Sequence, residues 1–128
     1  SDILRKNGIV IGVVLSRESH RLDISSVQYA NKTFDEAIAY SNSYAPTGLE
    51  NDATFGSGKW HMPTDGDIDN SCDFSWRGTA AVVGSAPHYT WYNYTNGEYG
   101  YERGRCGYGS WRLKSSPFYV YPMMQVTF

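Results

Sequence analysis

Between His88 and Arg112 the chain runs 25 residues without one Ala, Val, Ile, Leu or Met. That absence is informative, because a packed core needs branched aliphatic side chains to fill the gaps between rings. Other shortages narrow the field further. No apolar run approaches the roughly 20 residues that a membrane-spanning helix needs. A net charge of −2 is too small to argue for a nucleic-acid or anionic-membrane partner. The two cysteines, Cys72 and Cys106, stand 34 positions apart, which suits neither a zinc knuckle nor a redox pair. A disulfide between them would contribute about 4 kcal/mol on loop entropy. Two free thiols are the alternative, and both readings stay open.

What fills the aliphatic-free segment is aromatic. Tyr89, Trp91, Tyr92, Tyr94, Tyr99, Tyr101, Tyr108 and Trp111 lie among Gly, Asn, Thr and Arg. A disordered tail would be poor in such residues. A recognition surface uses them, since Tyr and Trp give stiff, amphipathic contact area while Gly, Ser and Asn adapt around it. The expected ligand-binding set is therefore Trp91, Tyr92, Asn93, Tyr94, Tyr99, Tyr101, Arg103, Arg105, Tyr108 and Trp111. Rings would stack on a ligand, and Arg103, Arg105 and Asn93 would give directional hydrogen bonds. The competing reading is a half-buried aromatic cluster standing in for missing aliphatics. Trp91 and Trp111 divide evenly between those roles, whereas Trp60 and Trp76 read as core.

At 128 residues the chain fits one domain, long enough to bury its own core. Ser1 in place of a Met reads as the start of a piece excised from a larger protein. Ile9–Leu15 is a continuous apolar, β-branched run, expected as a buried strand. It pairs in a hairpin with the alternating His20–Ser25. Thr33-Phe-Asp-Glu36 is a capping box opening a helix through Phe34, Ala37, Ile38, Ser41 and Tyr44, stopped by Pro46. Residues 46–59 form a loop. Thr64 then caps a second, short helix ending by Gly78, with Asp65 and Asp67 at its positive end. Further strands are expected at 80–84, 89–95, 99–103, 110–114 and 118–127.

This order of elements, with Phe34-Asp-Glu-Ala37, Gly58-Lys-Trp60-His-Met62-Pro63-Thr64 and the closing Val120–Phe128, resembles a C-type-lectin-like domain. In particular it is similar to the versions found in bacterial envelope proteins, often described as major paralogous domains. The turn before the second helix carries most of the resemblance. The Trp-Ser-Ser that those domains often carry is replaced by Thr90-Trp91-Tyr92-Asn93, and their Val-Arg-Pro-Val ending reads Val120-Tyr-Pro-Met123. The resemblance implies an α+β fold of two helices, a small twisted, mostly antiparallel sheet and long loops, with 88–112 among the loops. It also implies an extracellular or envelope setting. The variable proteins of diversity-generating retroelements share that fold and concentrate similar residues near the C-terminus. Formylglycine-generating enzymes share it too, but their Glu-Trp-Glu after the Pro-Thr is Asp65-Gly-Asp67 here.

Metal and catalytic signals are thin. Asp65-Gly-Asp67-Ile-Asp69-Asn70 opens like a calcium loop, yet its sixth and twelfth positions are Asn70 and Trp76 rather than Gly and Glu. Favourable carboxylates at a helix start explain it as well. An irregular Ca²⁺ site from Asp65, Asp67 and Asp69 with Glu50 or Asp52 is the residual possibility, and no cofactor is otherwise expected. His20, His61 and His88 are far apart in sequence. A Cys–His nucleophile pair has no third residue to orient it. The expectation is a binding or adhesion module for a glycan or an extracellular protein, not an enzyme. A structural packing module of a larger adhesin or pilus is the alternative.

Overall fold

The structure, a computed structural model, describes residues 3–64, 87, 89–104 and 109–128. The expected second helix, the strand at 80–84, Asp65, Asp67, Asp69, Cys72, Trp76, His88, Arg105, Cys106 and Tyr108 lie outside the described residues. Nine strands and one helix are described, in the order β1 (Ile3–Lys6), β2 (Ile9–Glu18), β3 (Arg21–Ser25), β4 (Ala30–Lys32), α1 (Phe34–Ser43), β5 (Tyr89–Asn96), β6 (Tyr99–Gly104), β7 (Gly109–Leu113), β8 (Phe118–Val120) and β9 (Met123–Thr127). They form three antiparallel sheets, ordered β1-β2-β3-β9, β4-β8 and β5-β6-β7.

This corrects the expected α+β, C-type-lectin-like fold of two helices. Strands take 51% of the described residues and helix only 10%, so the fold is mostly β. The physical reason is local: a chain of short runs broken by Gly and Asn favours hairpins, and the aromatic and β-branched residues between the breaks suit a pleated surface.

The first sheet starts with a turn that only certain residues can make. Asn7 and Gly8 both have positive φ (52° and 81°), the two-residue geometry whose twist matches its flanking strands. It places Lys6 opposite Ile9. Ile11, Val13 and Val14 are buried in the middle of β2, and β3 carries Ile24 into the same core between β2 and β9. Under this sheet Ile11, Ile24 and Met124 pack against Tyr44, Leu49 and Trp60. The Trp60 indole Nε1–H donates to Phe55 O at 2.9 Å, so its one polar atom is satisfied inside.

Helix α1 opens as its sequence dictates. The Thr33 amide donates to Glu36 Oε1 at 3.0 Å, completing the capping box. That bond holds the Glu36 carboxyl below its ordinary range. Phe34 and Ala37 face inward and join Met62, Trp91 and Val120 in a second cluster. The Trp60–Thr64 stretch ties the sheets together. His61 exchanges two backbone bonds of 2.9 Å with Met123, and Pro63 O accepts the Asn93 amide at 2.8 Å.

The loop after α1 is pinned by Asp52. Its carboxylate pairs with Lys6 and accepts the amides of Phe55 and Thr54 at 2.9 and 3.0 Å. The Lys6 contact foremost, then those amides, pulls its pKa from 3.8 to about 2. Because the folded value lies below the unfolded one, the stabilisation is complete above the unfolded value. It is lost as pH falls through the interval from 3.8 to about 2. Urea midpoints measured against pH should therefore show Asp52→Asn less stable than the parent at neutral pH, with the gap closing across that acid interval.

Candidate functional site

The sheet β5-β6-β7 is two-sided, and alternation decides which side chains go where. The register sets Tyr92 opposite Tyr101 and Tyr101 opposite Trp111, with Gly100 opposite Arg112 and Glu102 opposite Ser110. The inner face meets α1 and β8. Trp91 is fully buried there, edge-on to Phe34 at 5.3 Å and to Phe118 at 5.8 Å. Its indole Nε1–H donates to Lys32 O at 2.8 Å. Gly100 lets the sheet come this close: a Cβ on it would stand 2.7 Å from Phe34 Cε2 and 3.0 Å from Trp91 Cζ3. Gly100→Ala should therefore cost about 1–3 kcal/mol by overpacking, measurable as a drop in thermal midpoint.

Beside these rings the inner face carries one ionic network. The buried Glu102 carboxylate accepts from Ser110 Oγ at 2.8 Å and from Arg112 Nε at 2.9 Å. The Arg112 guanidinium lies over Phe118, 4.0 Å from the ring centre. These groups are consumed by folding, and they fix the spacing of β6 and β7.

The outer face is different. Tyr94, Tyr101 and Trp111 touch one another across all three strands. Ring centres are 5.1 Å apart for Tyr101–Trp111, 5.3 Å for Tyr94–Trp111 and 6.0 Å for Tyr94–Tyr101. Tyr94 is 57% exposed and Trp111 41%, while Tyr101 is half-buried between them. Tyr101 also lies across Gly109, where an added Cβ would come within 2.6 Å of its hydroxyl. Next along the face, Tyr99 and Leu113 stand opposite each other, both exposed. Exposed Asn96, opposite Tyr99, and Glu98 border the rings, with exposed Asn93 nearby on β5, whereas Thr95 and Ser110 stand opposite Gly100 and Glu102 and so belong to the inner face.

The ten expected ligand-binding residues thus separate. Tyr94, Tyr99, Tyr101 and Trp111 come together on the outer face. Trp91 does not join them, being 0% exposed on the inner face; Tyr92 shares their face, its ring centre 5.9 Å from that of Tyr101, but is only 3% exposed. Both are core residues because β5 is covered on each side at that point, Trp91 by Phe34 and Phe118, Tyr92 by Tyr121 and Met123. Arg103 bounds the site, its guanidinium 5.8 Å from the Tyr92 ring centre. Asn93 is at the exposed rim, and Arg105 and Tyr108 lie outside the described residues. Leu113, absent from the expected set, belongs to the face. Its alternation with Trp111, opposite Tyr99 and Tyr101 in a hairpin, was the available signal.

Glu50 and Asp52, considered as partners for calcium, are engaged elsewhere. Glu50 accepts the Gly48 amide at 3.1 Å and Asp52 holds the loop described above. No helix among the described residues is long and apolar enough to cross a membrane.

Comparison with protein-family models, with curated proteins and with solved structures found no match for this chain.

Proposed function

We infer that the protein is a ligand-binding module of an exported or envelope protein, and that it recognises a glycan on the outer face of β5-β6-β7. The observation that supports this reading most is the exposed triad of Tyr94, Tyr101 and Trp111 in mutual contact. Rings that could have been buried are displayed, on a sheet whose other side already holds the core. The apolar C–H face of a sugar stacks on such rings, and its hydroxyls bond to a rim of amide and hydroxyl side chains. Here Asn96 and Asn93 supply such groups. Recognition of this kind needs no metal. The similarity of the Gly58–Thr64 turn to those of bacterial envelope domains supports the location.

A protein partner is the second reading, favoured by the exposed Leu113 beside Tyr99, since contiguous apolar surface marks protein contacts. A glycan array probed with the purified chain, with and without a calcium chelator, separates them. Binding that survives chelation and is lost in Tyr94→Ala supports the glycan reading. Binding abolished by the chelator moves the site to the Asp65–Asp69 segment, and no retained glycan favours the protein partner.

A further inference from the structure

Among the described residues strand β7 is an outer strand of its sheet, and its outward edge has a definite hydrogen-bonding pattern. The Lys114 amide donates to Glu98 O at 2.9 Å, in step with the β6–β7 register. By the alternation of an antiparallel ladder, the backbone groups of Arg112 and Ser110 then face β6, and those of Gly109, Trp111 and Leu113 face away from it, the Leu113 carbonyl accepting the Ser116 amide at 3.0 Å with its second lone pair left over. Among the described residues no strand pairs with that side.

Exposed edges invite pairing, and proteins blunt them with outward lysines, prolines or bulges. Strand β7, Gly-Ser-Trp-Arg-Leu, has none of these. Its single charge, Arg112, is folded back on Glu102 and Phe118. We propose that this edge pairs with the same edge of a second copy of the chain, antiparallel about a two-fold axis at Trp111.

The side chains are self-complementary in that register. Trp111 is the middle residue of the five, so only a two-fold axis there overlaps the whole strand. On the outer face the aromatic row continues through the axis, with Trp111 beside its symmetry mate and a Tyr101 at each end. Leu113 falls opposite the partner copy's glycine at 109, large against none. On the inner face Arg112 falls opposite the serine at 110, whose hydroxyl already bonds the Glu102 carboxylate. Each cation therefore meets an acidic row and never its own kind, as isologous contacts require. The dimer would be a six-stranded sheet carrying two aromatic faces side by side.

Five residues a side is far below the roughly 20–30 of a standard interface, so association is reversible and concentration-dependent. Sedimentation equilibrium of the full chain from roughly 10 µM to 1 mM spans the range of weak affinities. The wild-type mass should climb from 14.4 kDa toward twice that. Trp111→Lys and Leu113→Lys each place a cation on the edge and should stay at one chain's mass. Tyr94→Ala, which alters the face on β5 but not the edge, should associate as the wild type does. A wild type that stays monomeric throughout overturns the proposal. So does a dimer that both lysine variants keep, or one that Tyr94→Ala loses. No ligand is present, so the outcome is independent of whether the chain binds a glycan.

Discussion

Trp91→Ala should lower the free energy of unfolding by roughly 3–5 kcal/mol, the range for deleting a large buried aromatic. The size follows from what Trp91 joins. It is fully buried between Phe34 on α1 and Phe118 on β8, and its Nε1–H is spent on Lys32 O in β4. The alanine variant opens a cavity where helix and two sheets meet and leaves the half-buried Lys32 carbonyl without this donor. Trp91→Phe keeps most of the ring but still leaves Lys32 O without its donor, so about 1–3 kcal/mol should go. Urea unfolding checks both: the midpoint should fall while the slope stays, since the surface exposed on unfolding is unchanged. A Trp91→Ala variant as stable as the parent would remove Trp91 from the core.

Trp111→Ala should do the reverse. The residue is 41% exposed on an outer strand, its ring contacts being with the Tyr94 and Tyr101 side chains. Loss of those contacts should cost no more than about 1 kcal/mol of stability. Binding should suffer far more. A central aromatic contact is worth on the order of 1–3 kcal/mol, roughly 5- to 150-fold in affinity. Calorimetric titration of wild type and variant with a glycan that the array retains reads this directly. The two tryptophans, one strand apart from a shared neighbour, thus separate stability from recognition.

That separation shows where the sequence could be read and where it could not. The capping box at Thr33–Glu36, the Ile9–Leu15 strand and the hairpins after residue 88 rest on local signals, and the structure contains all three. The strand Ile3–Lys6 is not among the expected elements, although Asn7-Gly8 marks a tight hairpin. The polar residues around that turn hid a strand of four. The balance of helix and strand departs from the expected α+β fold because that expectation rests on the resemblance, while the pattern after Thr79 is hairpin-like. The aromatic segment posed a harder problem. Alternation along β5 predicts two faces but not how far each is covered. Trp91 and Tyr92 lie where α1 and β8 close one side and Tyr121 and Met123 close the other, whereas Tyr94, two residues on, has left both. The bulge between Tyr92 and Thr95 interrupts the period at that point. Only the tertiary neighbours decide it, and they come from residues 34, 118, 121 and 123.

The central claim is that the outer face of β5-β6-β7 meets the ligand while the rings beneath it serve the core. The indole N–H resonances of the ¹⁵N-labelled chain test this most directly, followed through a titration with the glycan that the array retains most strongly. The Trp111 resonance should move with ligand concentration while those of Trp91 and Trp60 stay fixed. A Trp111 resonance that stays fixed in a chain saturated with ligand would contradict it.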